Sequence, residues 1–269
     1  MELTDKEFNL IRDYIKLNYG ISLADEKRTL IYSRLRALLD KQGFSDFMSY
    51  FEYLKADRTG EATTLFINRI TTNHTFFMRE AEHFEFLKTT CLPWLEQKFE
   101  KEKDLRLWCA ASSSGEEAYT LQMIMQDYFK NKPGWNLEIL ATDISEKVLQ
   151  QASLGIYSVE STSVLPKEWQ EKYFRKYDSE NLVVKNDIKK LVTFRKFNLM
   201  QEKMPFKKPM QIIFCRNVMI YFDNKTREAL VKRFYNILEK DGYLFVGHSE
   251  SLSNIQTDFK YIKPAVYRK

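Results

Sequence analysis

The stretch LWCAASSSGEEAYTL, Leu107 to Leu121, decides the fold. An apolar strand end runs into small residues, one glycine, and two acids that open a helix. In an open α/β sheet, ligands bind beyond the carboxyl ends of the strands, so Ala110 to Gly115 is where a ligand is expected. Small side chains let a ligand approach the backbone, and Gly115 allows a positive φ. Dinucleotide turns carry three glycines; this one has a single glycine followed by Glu116 and Glu117. Two carboxylates at a helix N-terminus repel a pyrophosphate that would otherwise bind there. The turn argues against a dinucleotide and for a cationic or zwitterionic ligand.

Outward from the turn, strands and helices alternate. DLRLWCA reads as a strand and EEAYTLQMIMQDYF as an amphipathic helix; LEILATDI is a second strand, followed by a helix from Ser145. MQIIFCRNVMIYF begins as a near-continuous apolar strand, the pattern of a strand covered on both faces. DNKTREALVKRFYNILEKDG reads as a long helix stopped by Gly242, and YLFVG and YIKPAVYRK as closing strands. This alternation predicts a mostly parallel, doubly wound sheet. Residues 156–197 break the alternation, and NLVVKNDIKKLVTFRKF reads as a small β-rich insertion. The first third is helical: TDKEFNLIRDYIKLNYG opens on a Thr4 cap and ends at Gly20, and DEKRTLIYSRLRALLDKQG stops at Gly43. Two further helices are expected in FSDFMSYFEYLK and EATTLFINRIT. The expected division is a helical domain over 1–84, including the start of the linker, and a sheet domain over 85–269, with the β insertion at about 156–197.

The chain has 269 residues, 44% hydrophobic and 29% charged, with a net charge of +5, an ordinary globular composition. The lysines between Lys185 and Lys208 are interleaved with acids and read as a solvated face, so no nucleic-acid partner is expected. Cys91, Cys109 and Cys215 are far apart, and with only three histidines no zinc-type spacing exists, so no metal is expected. The charged start MELTDKEFNLIRDYIK and the lack of a long apolar run lead to the expectation of a cytoplasmic protein without membrane insertion.

Three further places put polar residues at the expected binding edge. ATDI sets Asp143 at a strand end, where an acid accepts ribose hydroxyls. CRNVMIYF places Arg216 and Asn217 at the end of an apolar strand. TTNHTFFMRE, Thr71 to Glu80, gathers Asn73, Thr75 and Arg79 around Phe76 and Phe77, which dock the two domains. S-adenosylmethionine, with its sulfonium and its amino-acid group, fits a phosphate-free site of this kind.

TTNHTFFMRE, WCAASSSGEEAYT, ATDI, FNLM, IFCRNVMIYF and LFVGHSES, in this order, resemble the chemotaxis receptor glutamate methyltransferases of the CheR type. The resemblance covers nearly the whole chain. It implies a Rossmann-like class I methyltransferase sheet domain with a small β subdomain, preceded by an all-helical N-terminal domain. It implies S-adenosyl-L-methionine as methyl donor and the cytoplasmic methylation region of chemotaxis receptors as partner, with the enzyme a monomer. By motif, the cofactor-binding positions are Asn73, Thr75, Arg79, one or both of Glu116 and Glu117, Asp143, Asn198, Leu199 and Asn217, with Arg79 and Tyr221 nearest the reacting centre; Gly115 and Arg216 join them from the reading of the turn and the strand end. Acidic receptor helices would dock on a basic helix face; Lys27, Arg34 and Lys41, seven apart, with Arg28 and Arg36, are the candidates. Ser114 and Ala118 replace the family's usual Thr and Pro, and Met78 stands beside the arginine. Where members that hold a receptor's C-terminal pentapeptide carry a glycine-rich loop, this chain has RKYDSENLV, so that tether is not expected. The other readings are a methyltransferase of RNA or a small molecule, and a non-catalytic adaptor that binds S-adenosylmethionine.

Overall fold

The structure is a computed structural model and describes residues 3–70 and 74–269, with the side chain of Lys27 excepted. Four helices open the chain: α1 (Asp5–Tyr19), α2 (Arg28–Gln42), α3 (Phe47–Ala56) and α4 (Glu61–Ile70). Their ends follow from local chemistry. Thr4 accepts from the Glu7 amide at 3.3 Å while Glu7 accepts from the Thr4 amide at 2.9 Å, a reciprocal cap. Gly20 closes α1 in the left-handed conformation, φ 70°. Asp46 caps α3 by accepting from the Ser49 amide at 2.7 Å. Ile31, Leu35, Leu38 and Leu39 form the buried stripe of α2.

The chain then runs through α5 (Ala81–Phe86) and α6 (Leu92–Lys98) into the sheet. Its first units are β1 (Leu107–Cys109), α7 (Glu116–Phe129), β2 (Ile139–Asp143) and α8 (Glu146–Leu154). The insertion holds β3 (Ile156–Ser158), α9 (Val159–Thr162), α10 (Lys167–Tyr173), β4 (Phe174–Lys176), β5 (Asn181–Val184) and α11 (Asn186–Lys189). The chain closes with β6 (Val192–Lys196), β7 (Met210–Cys215), α12 (Asn224–Ile237), β8 (Leu238–Val246), β9 (Lys260–Lys263) and β10 (Val266–Arg268). The main sheet has the order β6-β2-β1-β7-β8-β10-β9, parallel from β6 to β8, with β10 and β9 antiparallel. Strand alternation assigns the two faces. Trp108, Ile213, Cys215, Leu244 and Val246 join a core that continues into α12 and the N-terminal helices. Leu107, Cys109, Ile212, Phe214 and Phe245 face α5, α6 and α7.

Three expectations change. Of the segment 156–197, only β3, β5 and β4 form the separate antiparallel sheet; β6 pairs with β2 and is the edge of the main sheet, because its Val192 and Phe194 pack against α7's side of the core. The boundary at 84/85 lies too late. Phe77 and Phe84 are already buried in the sheet domain's core, and Phe77 stacks edge-on to Tyr157 and Phe174 of the insertion. The helix expected to reach Gly242 ends at Ile237, and the following residues open β8. Gly242 is needed for a different reason: a Cβ there would meet the Gln211 carbonyl oxygen at 2.7 Å, so it allows β7 and β8 to approach. The β4–β5 turn, RKYDSENLV in sequence, is closed by Asp178, which accepts from the amides of Glu180 and Asn181 at 2.8 Å each.

Among the described residues, no helix is long and apolar enough to cross a membrane.

Candidate active site

A cavity open to solvent lies at the carboxyl ends of β1, β2 and β7 and is roofed by the N-terminal domain. Its sheet-side wall includes Ala110, Ala111, Ser113, Glu117, Asp143, Asn198, Leu199, Arg216 and Asn217. The linker contributes Thr75, Phe76 and Arg79, the turn after β7 contributes Tyr221, and the helical domain contributes Tyr19, Ile21 and Ile67. Asn73 lies outside the described residues. The two domains are stitched beside the cavity: the Ser22 amide donates to the Tyr221 carbonyl at 2.7 Å, and Asn198 Nδ2 to the Asn18 carbonyl at 2.8 Å.

The opening turn does its work differently from the sequence expectation. Gly115, at φ 97°, does not line the cavity. A Cβ there would meet Ala152 Cβ and the Tyr157 hydroxyl, each at 2.9 Å, so the glycine lets the turn pack on α8 and the β insertion. Tyr157 then donates to the Ser114 carbonyl at 2.7 Å. Ser113 is the residue that faces the ligand space; its φ is 47° and its amide donates to Asp143 Oδ2 at 2.9 Å. Asp143 also takes the Ser145 amide on Oδ1 at 2.9 Å, so both of its oxygens are oriented by backbone. Burial pushes its carboxyl above the usual range, and these amides oppose that shift.

The two acids separate. Glu116 is buried, accepts from the Ser114 hydroxyl at 2.8 Å, and does not line the cavity. Glu117 does, held by the Cys109 thiol at 3.1 Å on Oε1 and by Arg216 Nη1 at 2.6 Å on Oε2. Arg216 is the hub of this wall. Its side chain is 1% exposed, its Nη2 lies 3.0 Å from Glu80 Oε2, and it donates to the Arg79 carbonyl. Expected as a cofactor contact, it has both Nη atoms committed to protein groups; it lines the cavity while bracing the Arg79 segment to α7. Burial raises the Cys109 and Cys215 thiols well above the ordinary range, so neither is an activated nucleophile.

Arg79 contrasts with Arg216. Its Nη1 donates to the His74 carbonyl at 2.6 Å and its guanidinium sits 5.8 Å from the Phe76 ring centre, but no carboxylate among the described residues pairs with it.

The sequence reading missed Glu250. It lies in LFVGHSES, is 1% exposed, and accepts three amides: Gly247 at 2.6 Å and Asn217 at 2.7 Å on Oε2, and Ile220 at 3.1 Å on Oε1. These bonds hold Asn217 at φ 59°, a conformation disfavoured outside glycine, and set the turn carrying Tyr221. The available signal was an acid just beyond an apolar strand at the binding edge. Glu250→Gln turns part of that acceptor into a donor facing amides, so unfolding free energy should fall by about 1–3 kcal/mol in urea denaturation. A stability equal to wild type would remove Glu250 from this role.

Of the basic residues expected to dock a partner, the side chain of Lys27 lies outside the described residues, and Arg28, Arg34, Arg36 and Lys41 do not line the cavity. Arg28 is tied to Asp5 and donates to the Leu3 carbonyl at 2.7 Å; Arg34 Nη1 donates to the Ile70 carbonyl at 3.1 Å and so closes the end of α4. Arg36 reaches Tyr32 and Asp40 on the surface, and Lys41 is exposed. Two of the five are therefore spent on carbonyl groups within the helical domain.

The residues present fit S-adenosylmethionine. Asp143 is an oriented acceptor at the ribose position, Ile144 and Leu199 offer apolar wall, and Glu117, Asp143 and Arg79 suit a zwitterion. Fold and site define an S-adenosylmethionine-dependent methyltransferase of the α/β class. Two family models divide the chain between them: "CheR methyltransferase, all-alpha domain" matches residues 6–71, and "CheR methyltransferase, SAM binding domain" matches 73–268. The chain belongs to the CheR methyltransferase family. A chemotaxis protein methyltransferase of Borreliella burgdorferi is 42% identical over 272 residues, covering 100% of this chain and 96% of that one. Those of Salmonella typhimurium and Escherichia coli are 37% and 36% identical, each covering 99% of this chain and 91% and 92% of their own.

Proposed function

We propose that the protein transfers a methyl group to glutamate side-chain carboxylates in the cytoplasmic methylation region of chemotaxis receptors, forming methyl esters, and that it acts in the cytoplasm as a monomer. The observation that carries this reading is Arg79: a guanidinium in the cavity wall, unpaired with any carboxylate among the described residues, beside an Arg216 that is fully neutralised. A carboxylate acceptor supplies the missing partner.

S-adenosylmethionine supplies an activated methyl group on a positively charged sulfur. Asp143 would hold the ribose, Asn217 and Glu117 would take the amino-acid end, and the Ser113 turn would admit the ligand against backbone. A glutamate side chain, with a pKa near 4.3, is ionised at neutral pH and needs no general base. The site agrees: the buried thiols are held protonated, and His74 at the mouth has no carboxylate beside it among the described residues. The chain's contribution is position and dryness. Neutralising opposite charges is favoured where water is excluded, and alignment can supply about 7–11 kcal/mol of the barrier. Arg79 would hold a carboxylate, and Tyr221 stands on the same wall to orient it.

Incubation with methyl-labelled S-adenosylmethionine should label a receptor methylation-region fragment, but not the same fragment with its glutamates replaced by glutamine. Label in both fragments, or in neither, would refute the reading. Docking falls to the exposed part of α2. Reversing Arg36 and Lys41 to glutamate should raise KM for the receptor fragment several-fold, most at low salt, with cofactor affinity unchanged. Salt-independent, unaltered KM would count against this face.

A further inference from the structure

Spacing along the chain holds no metal motif, but folding brings an acid and a histidine at the start of α5 together with a histidine beyond β8. Glu80 precedes α5, His83 lies within α5, and His248 follows β8. Their donor atoms all lie within 4.8 Å of one another, with Glu80 Oε2 3.5 Å from His83 Nδ1 and 4.0 Å from His248 Nε2. The rings of His83 and His248 stand edge to face, 4.9 Å between centres. His83 is 0% exposed, and neither of its ring nitrogens has a hydrogen-bond partner among the described residues; Glu80 Oε2 also lacks an aligned one. Buried imidazoles normally satisfy at least one nitrogen, so a fully orphaned one points to a ligand.

We infer that Glu80, His83 and His248 form a binding site for one borderline divalent metal ion, of the Zn²⁺ or Co²⁺ type. Two imidazoles and a carboxylate are a donor set such ions favour, at about 2.0–2.2 Å per bond, so donors around one tetrahedral ion stand about 3.4 Å apart. The 3.5 Å pair already fits, the wider separations, up to 4.8 Å, must close by up to about 1.4 Å, and the 42% exposure of the His248 side chain leaves a remaining position toward solvent. Arg216 does not exclude a cation. It faces both Glu80 and Glu117, so the three groups together carry one net negative charge, and its off-axis contact leaves Glu80 Oε2 a lone pair. With an ion bound, Arg216 would orient the ligating carboxylate from behind. The ion would pin the segment carrying Arg79 to the end of β8. All three cysteines are buried, so no exposed thiol competes for it.

The inference does not depend on the methyl-transfer reading, and its test measures binding alone. Untagged full-length protein is stripped with chelator and titrated with Co²⁺, followed by visible d–d absorption and by the melting temperature. One equivalent should bind, with nitrogen–oxygen coordination bands and a raised Tm. His248→Ala, an exposed change that leaves the core intact, should weaken binding by at least about tenfold and abolish the Tm rise. His83→Gln should do the same if it folds; His248→Ala carries the test if it does not. No saturable binding to the wild type, or equal Co²⁺ affinity in His248→Ala, would overturn the site.

Discussion

Arg216→Met should lower the unfolding free energy by about 3–5 kcal/mol at pH 7, because it strands two carboxylates against a buried wall. Arg216 is 1% exposed and faces Glu117 at 2.6 Å and Glu80 at 3.0 Å, whose side chains are only 14% and 15% exposed. For a chain of this length the loss corresponds to a Tm drop of roughly 10 °C. The effect should depend on pH in a definite direction. Burial is the largest single influence and would raise the Glu80 carboxyl; the charge of Arg216 and the hydrogen bonds from Arg216, Asn217 and His248 together outweigh it, and the net shift is down. A depressed acid adds stability above its unfolded pKa, about 4.3, and that stability is lost as pH falls through the folded value. Without Arg216 the upward push of burial remains, and the sign reverses. The gap between wild type and variant should therefore be widest near neutrality and narrow below about pH 4. A variant as stable as wild type at pH 7 would show that the hub is not what holds this wall.

Arg79→Ala should reduce kcat/KM by about 10²–10³, the usual loss when one preorganised charge-stabilising donor is removed. Arg79 is half-buried, and among the described residues its side chain donates to the His74 carbonyl and pairs with no carboxylate, so the fold should survive. Measuring S-adenosylhomocysteine affinity beside turnover separates its two possible partners: a turnover loss with unchanged affinity assigns it to the acceptor carboxylate, and a parallel loss to the cofactor's carboxylate. Arg79→Lys should recover only part of the activity, since a point charge lacks the planar fork. Full turnover with unchanged cofactor affinity in Arg79→Ala would remove Arg79 from the chemistry.

What could be read from sequence was local. The caps at Thr4, Gly20 and Ser145, the apolar stripe of α2 and the strand–helix alternation each depend on residues a few positions apart, and the structure has them where expected. What failed depended on partners distant in the chain. Gly115 looked like a ligand contact because its requirement for Ala152 and Tyr157 is set by how the insertion folds back. Glu116 and Glu117 are adjacent and chemically identical, so only the helix's orientation could show that one faces the cavity and the other is buried. Arg216 lines the cavity as read, but its bracing of Glu117, ninety-nine positions earlier, and of Glu80 could not be found by spacing. Glu80, His83 and His248 escaped for the same reason: metal motifs are recognised by spacing, and this cluster is assembled by the sheet. The basic face of α2 was over-counted because the carbonyls that engage Arg28 and Arg34 belong to other parts of the helical domain.

The central claim is that the methyl group goes to a carboxylate. Receptor fragment labelled by this protein from methyl-labelled S-adenosylmethionine should release its label as methanol on mild base treatment, because a carboxyl ester hydrolyses there. Label that stays on the fragment under the same conditions, as a methylated amine would, contradicts the account.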